Sequence, residues 1–420
     1  MANHPLYKNP DLPPKAKIAP VGVSLQVSNY FWYKKSFTAP AKKQVAILKI
    51  NKAQFGTDVW LNGKKISNHD GCFTAGYFDL TEAINWDAEN HILIRVGAHP
   101  GVLPLNVPAD TDLEKFEWMP GIYDDVSVSF CNNPVIETVQ VAPRINSSEI
   151  VVQTIVKNYG DTLCSFRLSH CVKPWKEEIE VGQAHTEEIT LRAGEKKTLI
   201  QVIAIQKSHL WTPEDPYLYV VESITDGDNI TTRFGMREFR FDRATGWAYL
   251  NNKPYFLRGA NITLHRFFED AKCGSLPWKV EWVRKLLIDI PKEMNWNSFR
   301  FCLGPVPEKW MDIADEAGLL IQNQFFLWVP NSDWGHQEWD LIPHFKEWMR
   351  DNWNHPSQAV WDACNENNYP ALVDTVIPTV RSLDLSNRPW HSTPALCPDD
   401  PIERHLYVLP NNDSLHTSFD

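Results

Sequence analysis

The residues best placed to do chemistry lie in one run, Trp361-Asp362-Ala363-Cys364-Asn365-Glu366-Asn367, preceded by Asn354-His355-Pro356-Ser357. The apolar residues Ala359, Val360 and Trp361 read as a strand buried on both faces of a parallel sheet, ending in a polar Asn-Glu pair. In a parallel barrel the reactive groups sit at the carboxyl ends of the strands, so a carboxylate there suits general acid and base work. An Asn-Glu pair also ends strands at plain surfaces, so the flanking residues must decide. A neighbouring strand, Asn297 to Cys302, carries Arg300. A fixed cation there would hold an adjacent carboxylate ionised and oriented, or would form a simple ion pair in a barrel core. Further on, Glu403-Arg404-His405-Leu406-Tyr407-Val408 reads as a strand, with His405 and Tyr407 two residues apart and so on one face.

These candidates fall in a segment, residues 239–420, where strands alternate with helical patterns, as in repeated strand-helix units around a parallel sheet. Six strands are expected there. They run through Arg258 to Asn261, Asn297 to Cys302, Leu319 to Leu327, Ala359 to Glu366, Arg388 to Ser392 and Glu403 to Val408. Between them a helix with Trp282, Leu286 and Leu287 on one face is kinked or ended by Pro291, and another from Trp310 to Ala317 stops at Gly318. A third carries Phe345, Trp348 and Met349. An eight-stranded barrel is therefore incomplete in this chain.

The first part has a different texture. Residues 1–133 open with a Pro- and Lys-rich arm. They continue in short alternating runs, among them Val45 to Ile50, Thr57 to Leu61 and His91 to Val96, with Asn62-Gly63 as a hairpin turn. Residues 134–238 repeat the pattern in Glu149 to Val156, Ser165 to Ser169 and Lys197 to Ala204, the length of one immunoglobulin-like sandwich. Neither part shows a catalytic constellation.

The Asn-His-Pro-Ser run, the Trp-bearing strand and the Asn-Glu pair together resemble the acid/base motif of glycoside hydrolase family 2, the β-galactosidases, β-glucuronidases and β-mannosidases. Other pieces follow in that family's order: Trp32-Tyr33 with Phe37, Val59 to Lys64, Phe78 to Thr81, Gly121 to Tyr123, Leu210 to Pro213, Arg233 to Arg237, and Arg258 to Asn261. The resemblance implies a β-sandwich of jelly-roll type, an immunoglobulin-like sandwich and a (β/α)8 barrel, and an exo-acting retaining β-glycoside hydrolase. Glu366 would then be the general acid/base, and Asn365 would hydrogen-bond the sugar 2-hydroxyl. Arg300 would lie against the nucleophile, Tyr407 would hydrogen-bond it, and His405 and Asn261 would line the same pocket. The nucleophilic Glu belongs to the seventh strand of such a barrel and is expected beyond residue 420. Two departures concern the sugar contacts, because Leu303 and Gln324 stand where relatives carry a His and a Glu. The cationic pair His265-Arg266 could grip an anionic sugar or belong to a solvated loop. A competing reading is a non-catalytic carbohydrate-binding protein with a truncated barrel.

Composition narrows the classes further. A net charge of −11 without a run of Lys or Arg gives no surface for nucleic acid or an anionic membrane, and no apolar run is long enough to span one. Eighteen Trp and thirty Pro suit β-rich carbohydrate-binding architecture, although most Trp will fill cores. The eight Cys show no metal or disulfide spacing and read as mostly reduced core residues. No cofactor is implied, though similar galactosidases bind Mg²⁺ or Na⁺. A homo-oligomer is compatible with the sequence. The sequence shows no apolar leader and leaves the compartment open between the cytoplasm and, if a leader has been removed, the periplasm.

Overall fold

The computed structural model describes residues 29–109, 112, 120–267, 272–328, 339–366, 370–392 and 400–401. The first sandwich pairs Tyr30–Thr38, Glu89–Gly97, Thr57–Leu61 and Lys64–His69 in that order in one antiparallel sheet, opposite a sheet of Gly76–Asp79, Val45–Ile50 and Val126–Cys131. Strand alternation sends Val59, Leu61, Ile94 and Val96 from one sheet and Ala46, Leu48 and Ile50 from the other into a shared core. Asn62 (φ 51°) and Gly63 (φ 84°) both take the left-handed conformation that a tight two-residue hairpin demands, as expected. The outer face of the second sheet meets the rest of the chain. Val45 packs with Val135 of the next sandwich, Lys49 lies 3.5 Å from Glu308 of the barrel, and the Arg350 guanidinium sits 4.8 Å from the Tyr77 ring centre.

The second sandwich sets Val135–Arg144, Glu149–Lys157 and Lys196–Ala204 against Gly182–His185, Ser169–Pro174, Tyr219–Ile224 and Asn229–Phe234. The single strand expected from Ser165 to Ser169 is two strands. Cys164–Phe166 pairs with Ile189–Leu191, and the chain then changes partners, so that Ser169 lies opposite Ile224. Phe166 and Leu168 both point into the core, so the period of two runs unbroken through the switch. Side-chain alternation records the buried face and not the identity of the neighbouring strand.

In the third part five parallel strands lie in chain order: Gly259–Ile262, Ser298–Phe301, Leu320–Gln324, Gln358–Asp362 and Trp390–His391. They correspond to the first five expected strands; residues 403–408 lie outside the described residues. Side chains on the outer face pack under the helices. Phe299, Phe301 and Ile321 meet Val283, Leu287, Trp310 and Ile313, while Trp361 and Trp390 meet Phe345 and Trp348 of the helix Leu341–Asn352. Pro291 neither ends its helix nor leaves a gap. Lacking an N–H for the Leu287 carbonyl, it follows a wider π-type turn over Lys285–Asp289, and Pro378 follows the same device at Leu372–Val376. Gly318 (φ 80°) ends the helix Glu308–Ala317, with a backbone bond to the Ala314 carbonyl.

The Asn-His-Pro-Ser run is the anchor at the amino end of the fourth barrel strand. The Asn354 amide bridges the Val139 carbonyl and the Val141 N–H of the second sandwich at 2.8 Å each. Arg237 donates to the Pro356 and Gln358 carbonyls, and Ser357 donates its hydroxyl (2.6 Å) and N–H (3.0 Å) to Asp315. His355 pairs with the same carboxylate at 2.7 Å, and Arg233 of the second sandwich reaches Asp312 (2.7 Å), Asp315 (3.2 Å) and Glu316 (3.1 Å). Asp312, Asp315 and His355 are close enough to share a metal ion, but here the two carboxylates take the Arg233 guanidinium, and Asp315 takes His355 as a second partner.

Burial pushes the Asp315 carboxyl up, but the His355 and Arg233 charges outweigh it and the net shift is down. His355 is pushed down by burial and raised further by Asp315, so its net shift is up. The Asp315 contribution to stability holds above its ordinary 3.8 and fades as pH falls through the lowered value; the His355 contribution holds below 6.5 and fades as pH rises through the raised value. The pair therefore stabilises most between about pH 4 and 6.5. Replacing Asp315 by Asn is expected to cost about 3 kcal/mol in urea unfolding at pH 6, because the buried His355 loses its carboxylate while Arg233 keeps only Asp312 and Glu316. An unchanged midpoint would show that the anchor is not needed.

Candidate active site

The carboxyl end of the fourth barrel strand holds a carboxylate with no solvent exposure, Asp362. Its Oδ2 accepts from Arg300 Nε (2.7 Å), Gln322 Nε2 (2.9 Å) and Gln324 Nε2 (3.2 Å), and its Oδ1 lies 3.0 Å from His391 Nδ1. These donors come from the second, third and fifth strands. Period-two alternation turns Arg300, Gln322, Gln324 and Asp362 to one side of the sheet while Phe299, Phe301 and Trp361 turn to the helices. Burial pushes the Asp362 carboxyl up, but Arg300 and His391 outweigh it and hold it well below the ordinary carboxylate range. An ionised carboxylate in such a place is tolerated only because its lone pairs are matched.

Arg300 carries the arrangement one step outward. Its Nη1 donates to Asn365 Oδ1 at 3.1 Å, and the Asn365 N–H bonds the Leu327 carbonyl at 2.8 Å. Asn365 is thereby held at both side chain and backbone, and Glu366 follows it, partly exposed, at φ 43°. A non-glycine residue in the left-handed region is strained and persists where neighbours over-determine the backbone. Leu303 (φ 54°) is a second case on the loop after the second strand, and its N–H donates to Gln324 Oε1 at 2.7 Å. Gly304 (φ 137°) must be glycine, since a Cβ there would meet the His265 ring at 2.5 Å.

The first sandwich supplies part of the wall. The loop after Lys64–His69 brings Phe73, buried at 1 %, edge-on to Phe326 (4.8 Å between ring centres) and His265 (4.9 Å). That loop is pinned where Glu347 accepts from Thr74 (2.7 Å) and lies 3.0 Å from His69 Nε2, and where the Ala75 N–H bonds Asp351 (2.8 Å).

Of the residues marked from sequence, Glu366, Asn365 and Arg300 come together. Asn261 lies opposite Arg300 in the strand register but is exposed on the outermost described strand. His405 and Tyr407 lie outside the described residues. The pair His265-Arg266 belongs to neither a solvated loop nor an open cationic grip: Arg266 forms a two-point bridge to Asp112 (2.8 and 2.7 Å), and His265 is buried beside Phe73 and Tyr123. Gln324, read as a lost sugar contact, instead ties Leu303 to Asp362. Sequence pattern does not mark Asp362 or His391 as site residues, because inside an apolar run an acid looks like part of a strand end. The available signal was a charged residue one step from Trp361 in a strand expected to be buried on both faces. Of the seven described cysteines, Cys72, Cys131, Cys302 and Cys364 are buried as expected of core residues, whereas Cys164, Cys171 and Cys273 are only partly buried.

Comparison with known proteins bears on all three parts. Residues 21–102 match the model "Glycosyl hydrolase 2 galactose-binding domain-like", residues 135–237 "Glycosyl hydrolases family 2", and residues 244–397 "Glycosyl hydrolases family 2, TIM barrel domain". A putative beta-glucuronidase of Formosa agariphila is 26% identical over 361 residues, covering 80% of this chain and 32% of the relative. A beta-galactosidase of Thermoanaerobacter pseudethanolicus is 26% identical over 342 residues, covering 79% and 44%. The crystal structure of a Bacteroides uniformis beta-glucuronidase superposes with a TM-score of 0.68 at 23% identity, covering 86% of this chain and 46% of that one, a likeness of fold. The chain thus spans a third to a half of the length of these relatives. Three models of one family, matched in succession over both sandwiches and the barrel that carries Asn365 and Glu366, lead to one conclusion: the chain belongs to glycoside hydrolase family 2.

Proposed function

We propose that this chain carries the acid/base side of a retaining, exo-acting β-glycosidase, with Glu366 as the proton donor and acceptor. The observation that supports this reading is the placement of Glu366 at the carboxyl end of the fourth parallel strand, directly after an Asn365 held by Arg300 and the Leu327 carbonyl. In the first step Glu366 protonates the departing glycosidic oxygen; in the second it takes a proton from the water that releases the sugar. Asn365 turns its amide toward the 2-hydroxyl of the sugar. The second carboxyl must stand about 5 to 5.5 Å away to attack the anomeric carbon. Asp362 is unsuited to that role, since four side chains enclose it and none of its surface is open. The nucleophile is accordingly assigned outside the described residues. Similarity to proteins named β-glucuronidase and β-galactosidase suggests a terminal β-glucuronide or β-galactoside as substrate. Asp362 acts as a positioning residue that sets the guanidinium on which Asn365 leans.

Glu366→Gln is expected to lower turnover of aryl β-glucuronides or β-galactosides at least about a hundredfold, with the unfolding midpoint unchanged. An aryl group acidic enough to leave unprotonated should restore the first step, seen as a burst of phenolate. Sugar binding without turnover by the unaltered chain, indifferent to Glu366→Gln, would replace the hydrolase by a carbohydrate-binding protein. Asp362→Asn is expected to lower kcat more than it raises KM, because the sugar still enters while Arg300 and Asn365 lose their fixed positions. Since Arg300 and His391 keep Asp362 ionised far below 3.8, an acidic limb of the pH profile above about pH 4 comes from another group, and the variant should leave its midpoint in place.

A further inference from the structure

A buried charge is tolerated where an opposite charge meets it, and among the described residues no carboxylate forms an ion pair with Arg237. Arg237 is 6 % exposed and directs its donors to neutral groups. Its Nε and Nη2 bond the Pro356 carbonyl at 2.9 and 2.6 Å, and Nη2 also bonds the Gln358 carbonyl, which leaves Nη1 without a bond among the described residues. A second buried guanidinium, Arg388, lines the same cleft at 4 % exposure. Its Nη1 pairs with Asp384 (2.6 Å) and its Nη2 donates to the Trp353 carbonyl (2.7 Å), while its Nε has neither solvent nor a hydrogen-bond partner among the described residues. Burial, and then the Arg388 charge, push the Arg237 guanidinium down to about 9, so it stays charged at neutral pH; Asp384, Asp315 and Glu238 offset only part of this.

The cleft has about 300 Å³ of space open to solvent and lies where Val141 and Phe234 of the second sandwich meet Ser386 and Arg388 ahead of the fifth barrel strand. The other charges around it are matched, Asp384 by Arg388 and Glu238 by Arg240 at 3.4 Å. Arg144, exposed to solvent nearby, bonds only the Pro143 and Leu385 carbonyls. The balance inside the cleft is one cation without a counter-charge. We infer that the cleft is an anion site at the seam between the second sandwich and the barrel, and that it takes a halide, chloride in ordinary salt. Arg388 Nε and Arg237 Nη1 are the donors, and the Ser386 hydroxyl lines the same cleft. One unmatched charge calls for a monovalent ion, and Glu238 in the lining repels a second negative charge, which disfavours phosphate and sulfate. The bound ion would hold Arg237, which grips the backbone at the start of the fourth strand, against Arg388, two residues before the fifth. An ion held only by the folded seam stabilises it. This inference does not depend on the role of Glu366.

Thermal unfolding of the whole chain in sodium chloride and in sodium fluoride at equal ionic strength tests it. General salt effects make fluoride, the more strongly hydrated ion, the better stabiliser. The site predicts the reverse, a midpoint about 2 to 4 °C higher in chloride that saturates with concentration. Glu238→Gln removes the repelling carboxylate and is expected to lower the chloride concentration at half effect about threefold. Crystals soaked in bromide should show anomalous density between Arg237 Nη1 and Arg388 Nε. A midpoint no higher in chloride than in fluoride would overturn the site even if the crystals hold bromide, since that would be binding at crystal concentration only. A cleft without bromide density would overturn it too, as would a chloride effect that Glu238→Gln leaves unchanged.

Discussion

The pocket depends on a buried ion pair. A carboxylate without solvent exposure survives only if its charge and lone pairs are matched, and Arg300 with Gln322, Gln324 and His391 does that for Asp362. Because the four donors sit on three different strands, the pair also fixes the lateral order of the sheet where the strands open. A guanidinium gripped through Nε presents Nη1 at a set angle, and Asn365 takes its position from that atom.

The same strand is held at its other end by a second buried carboxylate, Asp315, through Ser357 and His355. An apolar strand such as Gln358–Asp362 carries few groups to fix its register, since its side chains contribute burial and little direction. Two charged clamps, one before the strand and one at its end, set how far it can slide. The second sandwich is part of the first clamp, through Arg233 and Arg237. Removal of that sandwich would take Arg233 from Asp312, Asp315 and Glu316 and leave the Pro356 and Gln358 carbonyls without the Arg237 donors. The first sandwich serves at the other end, where Phe73 and the Asp112–Arg266 bridge build the wall beside the third-strand loop.

Much of this was legible in the residues in order. Period-two alternation and the Asn62-Gly63 turn marked the sandwiches, and the change to strands alternating with helices marked the barrel. Strand ends in a parallel sheet have one reactive direction, which made Glu366, Asn365 and Arg300 candidates, and the resemblance to the family's acid/base motif supplied the roles expected of them. Elsewhere local pattern and structure parted. Phe166 and Leu168 keep the alternation while the chain changes partners, and Pro291, which reads as a break, is accommodated by one wider turn.

What the sequence determined by itself is the set of elements, their buried faces and the strand ends where a carboxylate could act, because these follow from spacing along a single chain. What only the tertiary structure decided is which charges meet. Asp362 pairs with an arginine 62 positions away, Asp315 with a histidine 40 positions away, and Arg266 with an aspartate 154 positions away. A charge in a sequence carries no mark of its partner, and the low dielectric that makes each pairing obligatory exists only once the strands and sandwiches have closed around it.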